Sequence, residues 1–307
     1  MTTTPGVAPP AGRQGPGPLP RPLLQALDLR LARRSASQLP GEHRAPGVGR
    51  GTELTQLRPY EVGDDVRQLD AAATARTGEP HVRLHVPERA LTTWIINDVS
   101  PSMAFGTADR LKADVADGVA LAVAQLAVRR GGRLAFLRVG ADTPRLLPPS
   151  GGRGAVARVR RALDEGVAVD PDEPRPPDRT VLSRALTRVG KMAKASGLVV
   201  LISDFRDEDD WQRPLRRLSL LHSVVAVEIS DPRERELPAV GRLAVVDPET
   251  GRIVEVDTNR PKLRWKFAAA EADRRAKLAD ELKRAGVQHI ELTTEGEWLR
   301  DLGRGLR

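Results

Sequence analysis

The chain has no cysteine, which excludes disulfides, thiolate nucleophiles, thiolate-bound zinc and iron–sulfur clusters. Aromatic residues are scarce, with four Trp, four Phe and one Tyr in 307 positions, so there is little surface for stacking single-stranded nucleic acid. No apolar run approaches the ~20 residues that span a bilayer, and the N-terminus lacks the continuous apolar core of a signal peptide. The expectation is a soluble, cytoplasmic protein. A phosphate-cradling Gly-x-x-x-x-Gly-Lys-Ser/Thr loop is also missing, since Gly151-Gly152-Arg153-Gly154 lacks the lysine, and nucleoside triphosphate hydrolysis is unsupported. No Ser-x-x-Lys or nucleophile-elbow pattern occurs. The five histidines, His43, His81, His85, His222 and His289, are scattered; His81 and His85 would share one face of a strand, where cross-strand packing is the simpler role.

What is present is a strongly basic chain, with a formal charge of +8. The first 50 residues hold seven arginines against only Asp28 and Glu42, so most of the surplus lies in the tail and not across the body. Residues 1–22 are rich in Pro, Gly and Thr without apolar periodicity, a composition that cannot offset the entropy of ordering, and disorder is expected there. Leu23, Leu24, Leu27 and Leu31 fall at helical spacing, predicting a short amphipathic helix followed by a linker to residue 44.

From residue 90 the pattern is regular. Apolar strand-like runs at 92–97, 133–139, 198–203 and 223–229 alternate with helical segments near 108–130, 154–164, 181–195 and 208–220. Alternation of this kind predicts an α/β protein with a doubly wound, mostly parallel sheet. A hairpin is expected over 242–257, then a long helix from 262 to 285, a strand at 288–292 and a terminal helix. The acidic run 207–210 suits a solvated helix N-terminus.

The richest stretch is Asp98-Val99-Ser100-Pro101-Ser102, directly after the apolar run Trp94-Ile95-Ile96. In open α/β sheets, ligands bind beyond the carboxyl ends of the strands. Thr180 at the start of one helical run and Asp204 at the end of the strand "LISDF" can converge on the same loop. Together Asp98, Ser100, Ser102, Thr180 and Asp204 offer two carboxylates and three hydroxyls, an all-oxygen set suited to Mg2+ or Mn2+. The bland alternative is that the Ser and Asp side chains cap the following helix. An Asp after a strand also suggests a metal-dependent phosphatase, but position 100 is Ser where such enzymes place a second Asp, which removes the proton shuttle.

In order and placement, Asp98-x-Ser100-x-Ser102, Thr180 and Asp204 resemble the metal-ion-dependent adhesion site of von Willebrand factor A domains. That resemblance implies that the three hydroxyls lie close to the metal while the aspartates act largely through water. Residues 49–88 in turn resemble the signature of the bacterial domain-of-unknown-function family fifty-eight, here Arg58, Tyr60, Gly63, Asp64, Asp65 and Arg67. Two departures from it are Ala71, where the family usually has Trp after the aspartate matching Asp70, and a Pro-rich tail where many relatives carry membrane helices, so membrane attachment is not carried over. Arg58 and Arg67 either pair with Asp64 or Asp65 to pin a turn or present a partner surface.

Composition and Leu spacing set off the tail at 1–22 and a helix and linker at 23–44, and the resemblances imply a signature segment at 45–90 packing on the core and a von Willebrand factor A-like domain at 91–307. They imply a non-enzymatic adaptor that uses a divalent cation to grip an acidic residue of another protein, with a MoxR-type AAA+ ATPase as partner. The alternative is a nucleic-acid or acidic-surface binder working through the basic tail, whose binding would fall steeply with salt.

Overall fold

Thr92–Asp98 (β1) is buried from Thr93 onward, as expected of a strand with neighbours on both edges and layers on both faces. The computed structural model describes residues 7–8, 10–27, 54–85, 91–129, 131–141, 144–168, 180–206, 210–246 and 252–306. The linker to residue 44, the hairpin turn at 247–251, the acidic residues 207–209 and His43 lie outside them. The chain forms two compact units, residues 41–90 and residues 1–40 with 91–307.

In the larger unit β1 is central to a six-stranded sheet with Arg133–Val139 (β2), Arg145–Ser150 (β3), Leu198–Ser203 (β4), Ser223–Ser230 (β5) and Gln288–Thr293 (β6). The spatial order is β6-β5-β4-β1-β2-β3, parallel throughout except for β3, which runs antiparallel to β2. The expected doubly wound α/β architecture is therefore present. Chain order reverses between β1 and β4, and the crevice at such a switch point is where open α/β sheets bind ligands. β3 is an added edge strand; its Pro148 and Pro149 are tolerated because an edge needs no second ladder.

One face of the sheet carries Lys112–Arg129 (α1), Gly152–Leu163 (α2) and Trp298–Gly305 (α7), and the other carries Val181–Met192 (α3), Gln212–Ser219 (α4) and the C-terminal part of Pro261–Arg284 (α6). The short helix Pro232–Arg235 (α5) follows β5 and is capped by Asp231. α1 is buried along most of its length, including Lys112, Asp114 and Asp117. Strands 242–246 and 253–257 pair as the expected hairpin.

The tail departs from the disorder its composition suggests. Residues 10–27 lie against α1 and α7, because two buried carboxylates of α1 need donors there. The backbone N–H groups of Gln14 and Gly15 donate to Asp114 at 3.2 and 2.8 Å, the Arg13 guanidinium bonds Asp117, and the Trp298 indole N–H donates to the Pro16 carbonyl at 3.0 Å. Leu24 and Leu27 of the helical stretch 21–27 are buried in the core. A composition argument counts apolar residues and misses donors that a buried helix requires.

In the smaller unit, strands 54–59 and 81–85 pair antiparallel. Between them, Asp65 caps the 3-10 turn Val66–Gln68 and Asp70 caps the helix Ala71–Thr77, which Gly78 closes in the left-handed conformation at φ 77°.

Candidate metal centre

β1 and β4 end side by side, and each delivers a carboxylate to the crevice. Asp98 is the last residue of β1 and Asp204 follows β4; they are 2% and 3% exposed. The loop after Asp98 folds back on it: the Ser100 N–H donates to Asp98 Oδ1 at 2.9 Å, and Pro101 then opens a one-turn 3-10 helix over 101–104. The hydroxyls of Ser100 and Ser102 are 3.1 Å apart and both residues are buried. Ser203 Oγ donates to Asp98 Oδ2 at 2.6 Å and accepts the Phe205 N–H at 3.0 Å, tying the two strand ends together. Phe205 has φ 51°, a conformation uncommon outside glycine that marks a constrained backbone immediately after Asp204.

Space at the loop is set by Gly140, at the end of β2, whose φ is 95°. A Cβ there would lie 2.4 Å from the Ser100 nitrogen and 2.7 Å from Asp98 Oδ1, so only glycine lets the Asp98 loop settle on the strand end.

Electrostatics separate the two carboxylates. Burial, reinforced by the charge of Asp204, pushes Asp98 up to about 6 against the downward pull of its hydrogen bonds from Ser203 and Ser100. Burial would also raise Asp204, but the Lys112 ammonium, hydrogen bonds from Lys112 and Ser102, and the Arg206 charge together hold it below the ordinary carboxylate range. Lys112 Nζ lies 2.6 Å from Asp204 Oδ2 and 2.7 Å from Glu234 Oε1. Burial alone would lower the ammonium, and these two carboxylates outweigh it and hold it above its usual value. Glu234 also pairs with Arg206 Nε at 3.0 Å, and Arg206 reaches Glu271 at 3.0 Å. None of Ser203, Lys112, Arg206 or Glu234 was singled out from sequence. The available signal was a lysine and two aspartates in the first two turns of a helix that is otherwise almost wholly apolar.

The structure thus brings together Asp98, Ser100, Ser102 and Asp204. Thr180 is exposed at the start of α3, and residues 169–179 before it are outside the described set. The grouped donors are all oxygen, which fits a hard cation such as Mg2+ or Mn2+. Two buried carboxylates pressed together, one displaced to about 6, carry a repulsion that a cation would relieve.

Among the described residues, other ligand-like groups do not make a comparable centre. Glu228, His289 and Glu291 bring ligand atoms within 4.8 Å of one another, yet Arg274 and His289 hold Glu228 at 3.0 and 2.9 Å and Arg235 approaches Glu291 at 3.7 Å, so the group is a neutralised ion-pair cluster. His81 spends Nδ1 on the Glu79 carbonyl at 2.8 Å. In the smaller unit Arg58 pairs with Asp64 at 2.6 Å, and Asp64 Oδ2 accepts the Glu61 N–H at 2.9 Å; of the two roles left open for Arg58, pinning the turn is the one its contacts describe.

A family model described as "Protein of unknown function DUF58" matches residues 56–277. This chain belongs to the DUF58 family. The match takes in Arg58 to Arg67, the Asp98 loop and Asp204. Among similar chains, "Uncharacterized protein Rv1480" of Mycobacterium tuberculosis and "Uncharacterized protein Mb1516" of Mycobacterium bovis are each 36% identical over 281 residues, 92% of this chain and 87% of theirs. Among solved structures, BatB from Bacteroides thetaiotaomicron is similar with TM-score 0.42 at 11% identity, over 70% of this chain and 97% of that one. The SpRpn10 VWA domain gives TM-score 0.36 at 12% identity, over 69% and 93%. The fold of this DUF58 chain is a doubly wound α/β sheet with one antiparallel edge strand. No helix among the described residues is long and apolar enough to cross a membrane.

Proposed function

We propose that this DUF58 protein is a non-enzymatic adaptor that holds Mg2+ or Mn2+ at Asp98, Ser100, Ser102, Thr180 and Asp204 and presents it to an acidic residue of a partner protein. The observation that carries this reading is the group of four buried oxygen-bearing side chains at the reversal of chain order between β1 and β4. Hard cations with few direct carboxylates keep exchangeable water, and a partner's Asp or Glu can replace it. The family resemblance points to a MoxR-type AAA+ ATPase as the partner, which would supply the ATP chemistry. A binding role is supported over phosphoryl or acyl transfer because the serine hydroxyls face each other and, among the described residues, the imidazoles are engaged elsewhere: His81 is bonded to Glu79, His289 to Glu228, and His222 to the Ala193 carbonyl. Arg13, part of the basic tail invoked for nucleic-acid binding, is spent on Asp114 and Asp117.

The test is a Mn2+ titration by electron paramagnetic resonance on metal-stripped wild type and Asp98→Ala, carried into the millimolar range, followed by a pull-down of the ATPase with Mg2+ or with chelator. One saturable site lost in the variant, with capture that needs Mg2+, is expected. Equal non-saturating binding in both proteins sinks the metal-bridged reading.

A further inference from the structure

Lys112 stands where local physics disfavours a lysine. It is the first residue of α1, at the positive end of the helix dipole, and its side chain is 0% exposed, a position that disfavours an ammonium unless carboxylates compensate. Compensation comes from Asp204 at 2.6 Å and Glu234 at 2.7 Å. A built-in cation therefore already sits on one of the two carboxylates of the candidate metal centre. Glu234 is a second acceptor for that ammonium, and is itself fixed by Arg206 and by the Asp231 N–H at 2.9 Å.

We propose that Lys112 sets the cation affinity of the centre: its ammonium holds Asp204 in the metal-free protein and shifts its weight to Glu234 when a divalent cation takes Asp204. The inference rests on the reading of the site as a cation site. A positive charge this close opposes a divalent ion, so the unassisted site is weak and retains its ion best when a partner's carboxylate adds a ligand. Lys112 thereby ties metal retention to partner engagement, and Glu234 keeps the displaced ammonium from being left unpaired in a dry site.

The experiment is a Mn2+ titration by electron paramagnetic resonance on the metal-stripped full chain as wild type, Lys112→Met and Glu234→Gln, with lysine-selective 15N NMR of the Lys112 ammonium during a Mg2+ titration. Lys112→Met is expected to tighten Mn2+ by at least about tenfold, Glu234→Gln to weaken it, and Mg2+ to shift the wild-type ammonium resonance. Should Lys112→Met not fold, Glu234→Gln and the NMR titration carry the test. Equal Mn2+ affinity in all folded forms, with an ammonium resonance indifferent to Mg2+, overturns the role of Lys112 while leaving the cation site standing. No saturable Mn2+ binding in wild type or either variant removes the cation reading, and this inference with it.

Discussion

Asp98→Asn tests the electrostatics of the centre directly. The carboxyl of Asp98 is raised from the ordinary 3.8 to about 6, first by burial and then by the charge of Asp204, so the fold disfavours the ionised form. Between these values the native state holds a proton that the unfolded chain has released, and stability falls as pH rises through about 4 to 6; above that window the full cost is present. At ~1.4 kcal/mol per pH unit the cost is about 3 kcal/mol. Asn removes it while its carbonyl still accepts the Ser100 N–H, but the Ser203 hydroxyl loses its carboxylate acceptor, at about 1 kcal/mol. Metal-stripped Asp98→Asn should therefore be more stable than wild type by about 2 kcal/mol at pH 7.5, and about equally stable at pH 4.5. Urea unfolding with an unchanged denaturant slope reads this out. A stability difference that is the same at both pH values would refute the argument. A divalent cation should produce the same relief in wild type above pH 6, as a higher melting temperature in Mg2+ than in chelator, and none in the variant.

Gly140→Ala drives a Cβ into the Ser100 nitrogen and Asp98 Oδ1; it should cost about 2 kcal/mol or more and abolish saturable Mn2+ binding, measured by urea unfolding and titration together. Arg13→Ala leaves buried Asp114 and Asp117 without their guanidinium and should cost about 3 kcal/mol, with faster amide exchange over residues 10–17. Gly118→Val pushes into Trp298 and Pro16, and should lift the tail from α1, seen as a shifted Trp298 indole N–H resonance. Arg58 is one of the groups that hold Asp64 below its ordinary value, after the Glu61 N–H; in Arg58→Ala the Asp64 carboxyl should titrate closer to the usual range by NMR, with no change at Asp98.

The parallel strands were legible because a strand covered on both faces must be written as a continuous apolar run, and β1, β2, β4 and β5 are. β3 was not, since Pro148 and Pro149 contradict a strand everywhere except an edge, and edge position is a tertiary fact. The helix Ala71–Thr77 was missed because Ala-Ala-Ala-Thr-Ala-Arg-Thr buries only Ala73 and has no face to read; it is made by its ends, Asp70 and Gly78. α1 starts at Lys112 and not near 108, as the chain from 101 to 111 is taken up by the 3-10 turn and the loop around Gly106. At the centre, the strand-end motif made Asp98, Ser100, Ser102 and Asp204 visible. Lys112, Glu234 and Arg206 were invisible as partners, because what selects them is the charge balance of a dry crevice assembled from segments more than 90 residues apart.

The bond from the Trp298 indole to the Pro16 carbonyl joins residues 282 apart in the chain, which has a bearing on biosynthesis. At roughly 5–20 residues per second, a ribosome needs about 15 to 60 s to travel that distance. During that interval α1 has been made, with Asp114 and Asp117 facing its N-terminal neighbours, but the tryptophan that clamps the tail does not yet exist. The nascent chain therefore cannot close the tail onto α1 with this bond until translation has passed residue 298.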